Sequence, residues 1–307
     1  MDNLRQADNK VKIEGILTEM DLTEDSYSRD GKTVECIKGR IHIKTTQTIN
    51  GETKEIVVPV DMFANKYTRE GKINSAYNSI YHAMTEYVSQ AAAPEGVEPD
   101  YVKVNGSLKM NEYISKRTKE ITSFPRITAS FISKVKKEEY KPEATFSIQF
   151  VVAEASYETN SEGEETGRYK IFGIVPQFGG TVDVFPFYAV SENVISAVST
   201  YWQPGDTVSA IGKLDFSSTT ETRTIEVDFG EPQEKTFTKN VSDIIITGGC
   251  QTPLDDTAAY SADVINQALA ERKARLAEMK ERGESGASTV KKAVPGSVPG
   301  KGINFGF

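Results

Sequence analysis

The chain has 307 residues, 38% of them hydrophobic and 26% charged, enough for a sizeable core and, by length, two domains. No apolar run is long enough to span a bilayer, so no membrane partner is expected. The polar start, MDNLRQADNK, lacks the apolar centre of a signal peptide. A formal net charge of −8 disfavours a polyanion partner, but only on average. Residues 1–140 hold 21 basic and 21 acidic side chains, residues 141–250 hold 7 and 16, and the remainder 8 and 7. A polyanion is therefore expected on the first half.

Residues 1–9 read as a flexible arm. Lys10 to Leu22 reads as a strand, with Val11, Ile13, Gly15 and Leu17 on one face. Thr23 to Thr33 is a polar loop with an Asp-Gly turn signal. Thr33 to Thr48 is a two-faced strand. Ile37, Gly39, Ile41 and Ile43 share one phase, and Lys38, Arg40, His42 and Lys44 the other. Asn50-Gly51 is a hairpin signal. Glu55 to Phe63 is a third strand, whose Pro59 suits an edge or bulge. The period then becomes helical, with Ile73, Tyr77, Ile80, Met84 and Tyr87, and predicts a helix over Asn74 to Ala92. Tyr101 to Tyr113 is a fourth strand interrupted by Gly106. A polar loop, NEYISKRTKEIT, leads to a fifth strand over Ile121 to Lys136.

The charged stretch KVKKEEYKPE reads as a linker, after which the same order returns. Strands are expected at Ala144–Tyr157, Arg168–Val175 and Val182–Tyr188. A short helix with Ser191 at its N-cap follows. Asp206 to Phe216 then repeats the Tyr101 stretch in phase: Val208, Ala210, Gly212, Leu214 and Phe216 match its apolar row. Each of these two stretches follows a helix and is preceded by an aspartate, Asp100 or Asp206. The last strand is expected within Glu221–Ile246. Thr257 to Arg282 should be a helix with a stripe of Val264, Ile265, Ala268, Leu269, Leu276 and Met279. The Gly-, Ser- and Pro-rich end, closing on GINFGF, reads as disordered.

Strand, strand, strand, helix, strand, strand is the order of the OB-fold, a five-stranded Greek-key barrel. VKIEGIL, VKVNGSL and VSAIGKL are similar to the valine- and glycine-bearing strands of single-stranded-DNA-binding OB domains. The chain resembles the tandem-OB single-stranded-DNA-binding proteins of bacteriophages. The expectation is a mainly β protein: arm 1–9, OB-fold 10–136, linker 137–143, OB-fold 144–249, helical segment 250–283 and disordered tail 284–307. The family's bacterial form has a strongly acidic tail, whereas Lys291, Lys292 and Lys301 make this one basic.

OB-folds bind strands across the second and third strands, between the loops that join strands one to two and four to five. That maps the expected nucleic-acid contacts onto Lys38, Arg40, His42 and Lys44; onto Tyr27, Arg29 and Lys32 of the first loop; and onto Tyr113, Lys116, Arg117 and Lys119 of the later loop. Lys103 and Lys109 lie opposite the core face of the fourth strand. Cations neutralise phosphates and aromatic faces stack bases. Phe305 and Phe307 could engage a partner protein of replication or recombination.

Catalysis finds no motif. His42 and His82 are the only histidines, and neither has metal-ligand spacing with a cysteine. No phosphate loop or dinucleotide fingerprint is present, and no enzyme activity, cofactor or metal is expected. Cys36 and Cys250 lie far apart, which points to a reducing compartment, the cytoplasm, or a host's cytoplasm if the chain is viral. The leading expectation is a non-catalytic single-stranded-DNA-binding protein of replication or recombination, with self-association open. The alternative is a protein-interaction or virion module of two β barrels.

Overall fold

The computed structural model describes residues 4–115, 117–225, 233–255 and 257–286. Period-two alternation builds the first unit: β1 (Asn9–Arg29), β2 (Lys32–Ile49), β3 (Glu52–Asn65), α1 (Ser75–Glu86), β4 (Tyr101–Ile114) and β5 (Ile121–Val135). Asp30-Gly31 and Asn50-Gly51 turn β1 into β2 and β2 into β3. All four residues take positive φ (51°, 73°, 49° and 82°), which suits the right-handed twist of the flanking strands. β3 meets β5 in parallel through Val60–Met62. β5 pairs antiparallel with β4, and β4 returns to β1, closing a five-stranded barrel. Pro59, expected at an edge or bulge, instead lies opposite His42 within the β2–β3 ladder, just before the short parallel contact of β3 with β5.

The second unit repeats the circuit: β6 (Glu143–Thr159), β7 (Glu165–Pro176), β8 (Val182–Ala189), α2 (Glu192–Tyr201), β9 (Thr207–Asp215), an inserted hairpin β10 (Ser218–Ile225) and β11 (Gln233–Asn240), then β12 (Asp243–Gly249). β8 meets β12 in parallel, β12 pairs with β9, and β9 returns to β6. The closing strand therefore lies beyond an extra hairpin. Both circuits are those of an OB-fold, and the chain carries two of them.

The two aspartates noted before the repeated strand do the same work in each barrel. Asp100 accepts the Val88 N–H at 2.7 Å, and Asp206 accepts the Gln203 N–H at 2.8 Å. The carbonyl of each aspartate takes a strand N–H, from Leu17 and Val152 respectively, both at 2.9 Å. Gly106 and Gly212 also correspond. A Cβ at Gly106 would fall 2.5 Å from the Thr128 carbonyl oxygen, and one at Gly212 would fall 2.0 Å from that of Ile245. Each glycine lets a neighbouring strand pass too closely for any side chain.

Five expectations change. The Thr23–Thr33 loop is mostly strand: Thr23 pairs with Lys38 and Arg29 with Lys32, because backbone pairing continues after both faces turn polar. Half of the later loop is likewise paired, as far as Ile114–Ile121. The first helix stops at Glu86, because the N–H groups of Gln90 and Ala91 go to Leu17 and Thr18 of β1. Ser191 stands at the N-cap of α2, but its side chain makes no capping bond. Residues 4–8, in the segment read as an arm, lie against the second barrel: Ala7 is buried and its N–H donates to Pro176, while Arg5 donates to Ala258.

The barrels share β1. Its residues Val11–Ile16 pair with β4 along one edge, and Asn9–Glu14 pair with β6 along the other. Asn9 bonds the backbone of Leu108 in both directions, at 2.8 and 2.9 Å. Gln47 of β2 donates to the Ala144 carbonyl, and Lys54 of β3 pairs with Asp215 of β9. Helix α3 (Ala262–Gly286) buries Ile265 and Ala268 against Val151, Ile174 and Val182. It then reaches the β4–β5 hairpin, where Arg272 and Arg275 hold Glu112 and Lys280 holds Glu120. Of the tail read as disordered, residues 284–286 continue α3 and the rest lies outside the described residues.

Candidate nucleic-acid interface

The alternation of β2 places Ile37, Ile41 and Ile43 in the core and Lys38, Arg40, His42 and Lys44 on the outer face. Register then decides what these cations touch. Lys38 pairs with Asp25 across the β1–β2 ladder, and His42 Nδ1 lies 3.3 Å from Glu19. Arg40 donates to Asp61 of β3 at 2.7 Å, and Lys44 lies 3.6 Å from Glu55. The Lys38–Asp25 hydrogen bond holds the lysine above its ordinary range and the carboxyl below. The expected basic stripe is thus a row of ion pairs. A phosphate there must replace a carboxylate already in place.

Several expected contact cations have no carboxylate at ion-pair distance among the described residues. Lys32 is at the β1–β2 tip, and Arg117 and Lys119 are at the β4–β5 tip, where Lys119 takes φ 60°. Arg29 at the first tip touches only its neighbour Asp30, at 3.9 Å. Lys109 stands on β4 opposite Arg126. Lys103 is further along β4, between Glu14 and Ser133 in register. Lys116 lies outside the described residues, as do Phe305 and Phe307.

Between the hairpins runs an open groove. Its first part, about 1070 Å³, is lined by Lys38, Arg40, Asp61, Phe63 and Arg126 among others. A second part of about 580 Å³ shares Phe63, Arg126 and Thr128 and extends to Lys109 and Phe131. Phe63 and Phe131 are 45% and 50% exposed, which leaves ring faces for stacking. Tyr27 packs on Phe63 with ring centroids 6.3 Å apart, and its hydroxyl lies 3.1 Å from Asn65. Tyr113 makes an edge contact with Phe124 on the other hairpin. The structure therefore brings Lys38, Arg40, His42 and Lys109 to one groove and leaves Lys103 off its lining.

Phe63, Arg126 and Phe131 were not foreseen. Phe63 stands in the outer phase of β3 with Val57 and Asp61, a signal readable in the sequence. Phe131 was hidden by a bulge. In the phase of Ile127 and Ala129 it would point inward, but the register slips between Asn105 and Gly106 and turns it out.

In the second barrel the two β7 cations are engaged internally. Arg168 pairs with Glu158 and Asp243 and lies over the Tyr188 ring. Lys170 lies over Phe172. Phe146, Phe150, Phe185 and Trp202 are core residues.

Fold and site together define a tandem OB-barrel protein with an aromatic and cationic groove on its first barrel. The YorF family model matches residues 7–282, and the chain belongs to that family. No curated protein matches it. Among solved structures, the wild-type single-stranded DNA binding protein from Thermus aquaticus is similar with a TM-score of 0.48 at 11% identity, covering 84% of this chain and 99% of that one. The Plasmodium falciparum SSB complex with ssDNA gives a TM-score of 0.25 at 12% identity, covering 42% and 95%. The small single-stranded DNA-binding protein from Streptomyces coelicolor gives 0.24 at 11%, covering 43% and 97%. The assignment of the fold rests on the strand circuits.

Proposed function

We propose that the chain is a non-catalytic single-stranded-DNA-binding protein with little sequence preference, of the bacteriophage tandem-OB kind, serving replication or recombination in the cytoplasm. The observation that carries the reading is the outer face of the first barrel. There Phe63, Phe131 and Tyr27 stand among Arg40, Arg126 and Lys109, between two hairpins tipped with cations. Stacking surfaces interleaved with cations accept a single strand of any sequence, because every base has a π-face and every nucleotide a phosphate. A paired duplex offers no free base faces to such a surface.

Fluorescence anisotropy with labelled oligo-dT and with a duplex of equal length tests the proposal. Salt-sensitive binding of oligo-dT, with much weaker binding of duplex, is the expected result. Equal or absent binding overturns it. Stable self-assembly of nuclease-treated protein that ignores oligo-dT would favour a structural module of two barrels instead. Phe305 and Phe307 are proposed to recruit a replication or recombination protein. Their removal should abolish such capture while leaving oligo-dT affinity unchanged.

A further inference from the structure

The sharing of β1 brings five strands of both barrels side by side, and their registers align a row of outward side chains. Phe131 of β5 stands opposite Asn105 of β4, Asn105 opposite Lys12 of β1, Lys12 opposite Thr145 of β6, and Thr145 opposite Lys213 of β9. At roughly 4.8 Å per strand, four steps span roughly 19 Å. The next row adds Lys10, Ser147 and Ile211, the last of these 55% exposed.

All of these except Phe131 line an open depression of about 680 Å³ across the seam. It shares Asn105 and Gly106 with the groove segment that holds Phe131 and Lys109. Successive segments from the β1–β2 hairpin to the second barrel thus share lining residues. Charge changes along it. The first segment lines Lys38, Arg40 and Arg126 with Glu19, Asp21 and Asp61. The middle segment is lined by Lys109 and Arg126, and the seam by Lys10, Lys12 and Lys213, with no carboxylate among the described residues of either lining. Lys10 lies 3.8 Å from Asp8, and both are mostly exposed. Lys12 pairs with Glu143, and Lys213 donates to the Thr48 carbonyl.

Resting on the single-strand-binding reading, we propose that the bound strand continues past the first barrel and lies across this seam. Lys10, Lys12 and Lys213 take its phosphates there, and Ile211 gives an apolar contact to a base. The second barrel then contributes to binding through its β6–β9 face, although its own β7 cations are engaged elsewhere.

Oligo-dT of increasing length, from about 6 to about 30 nucleotides so as to exceed one barrel's site, is titrated by anisotropy against the full chain and against a K10Q/K12Q/K213Q variant. For the unaltered chain, affinity should keep rising beyond the length that saturates the first groove. The variant should bind the shortest oligomer as the unaltered chain does and lose at least tenfold on the longest. Equal loss at every length, or none at any, overturns the seam while the single-strand reading stands. No binding of any oligomer by the unaltered chain overturns both. Photo-crosslinking of 4-thiothymidine oligomers to the unaltered chain tests the path without a variant. Adducts on peptides holding Lys10–Lys12, Thr145–Ser147 or Ile211–Lys213 support it, and adducts confined to residues 19–63 and 109–131 overturn it.

Discussion

Arg40 donates its Nε–H to Asp61 at 2.7 Å, and the other oxygen of that carboxylate lies 3.3 Å from Arg126. One acid on β3 therefore holds two guanidiniums in the middle of the groove. A phosphate entering between them must displace Asp61, so neither arginine contributes its full electrostatic gain. Asp61→Asn should tighten oligo-dT binding several-fold. It should also steepen the salt dependence by about 0.7 for each phosphate contact released to the arginines. Anisotropy titrations between low and physiological salt measure both. An unchanged slope would place the strand elsewhere.

Phe63→Ala and Phe131→Ala should each weaken oligo-dT binding by about 1–3 kcal/mol, the worth of one stacked base. Both rings are about half exposed, so thermal stability should change little. Melting curves beside the titrations separate the two effects.

Glu112 is only 6% exposed and is held by Arg272 and Arg275 of the C-terminal helix. Arg272→Ala leaves that buried carboxylate with its weaker partner. The expected cost is about 1–3 kcal/mol in denaturant unfolding, with faster hydrogen exchange in the β4–β5 hairpin. Glu112→Gln with Arg272→Ala should cost less than the two single changes added together.

Burial pushes the Asp183 carboxyl up, even though it accepts the Met110 N–H. The folded chain therefore holds this proton more tightly than the unfolded chain. The stability contributed is full below the ordinary aspartate value of about 4 and is lost as pH rises through the raised value. Asp183→Asn keeps an acceptor for Met110 and removes the titration. It should melt above the unaltered protein at pH 8, with the gap closing towards pH 4.

Gly212→Ala should be strongly destabilising, by about 1–3 kcal/mol or more, because the new methyl meets the Ile245 carbonyl and the Phe146 ring. Gly163→Ala, in an open turn at φ 85°, meets no neighbour and should cost less.

Much of the fold could be read from periodicity. Ile37, Ile41 and Ile43 lie inward as their spacing requires, and the repeated strands at Val102 and Val208 occupy the same place in their barrels. Polar stretches such as Thr23–Arg29 gave no such signal, because a hairpin arm held by backbone bonds buries neither face. The site was legible only by residue type. The stripe on β2 was visible, but its pairing with Asp25, Glu19, Asp61 and Glu55 depends on register between strands. Lys12 and Lys213 lie far apart in sequence, and only the fusion of the barrels makes them neighbours.

That fusion also governs how the chain comes to be folded. β1 leaves the ribosome before β6, so its outer edge stays open until β6 has been made. Throughout that interval Asn9–Glu14 presents unpaired amides and carbonyls that any other extended segment can match. The first barrel on its own keeps this edge uncovered, and only the making of β6 closes it.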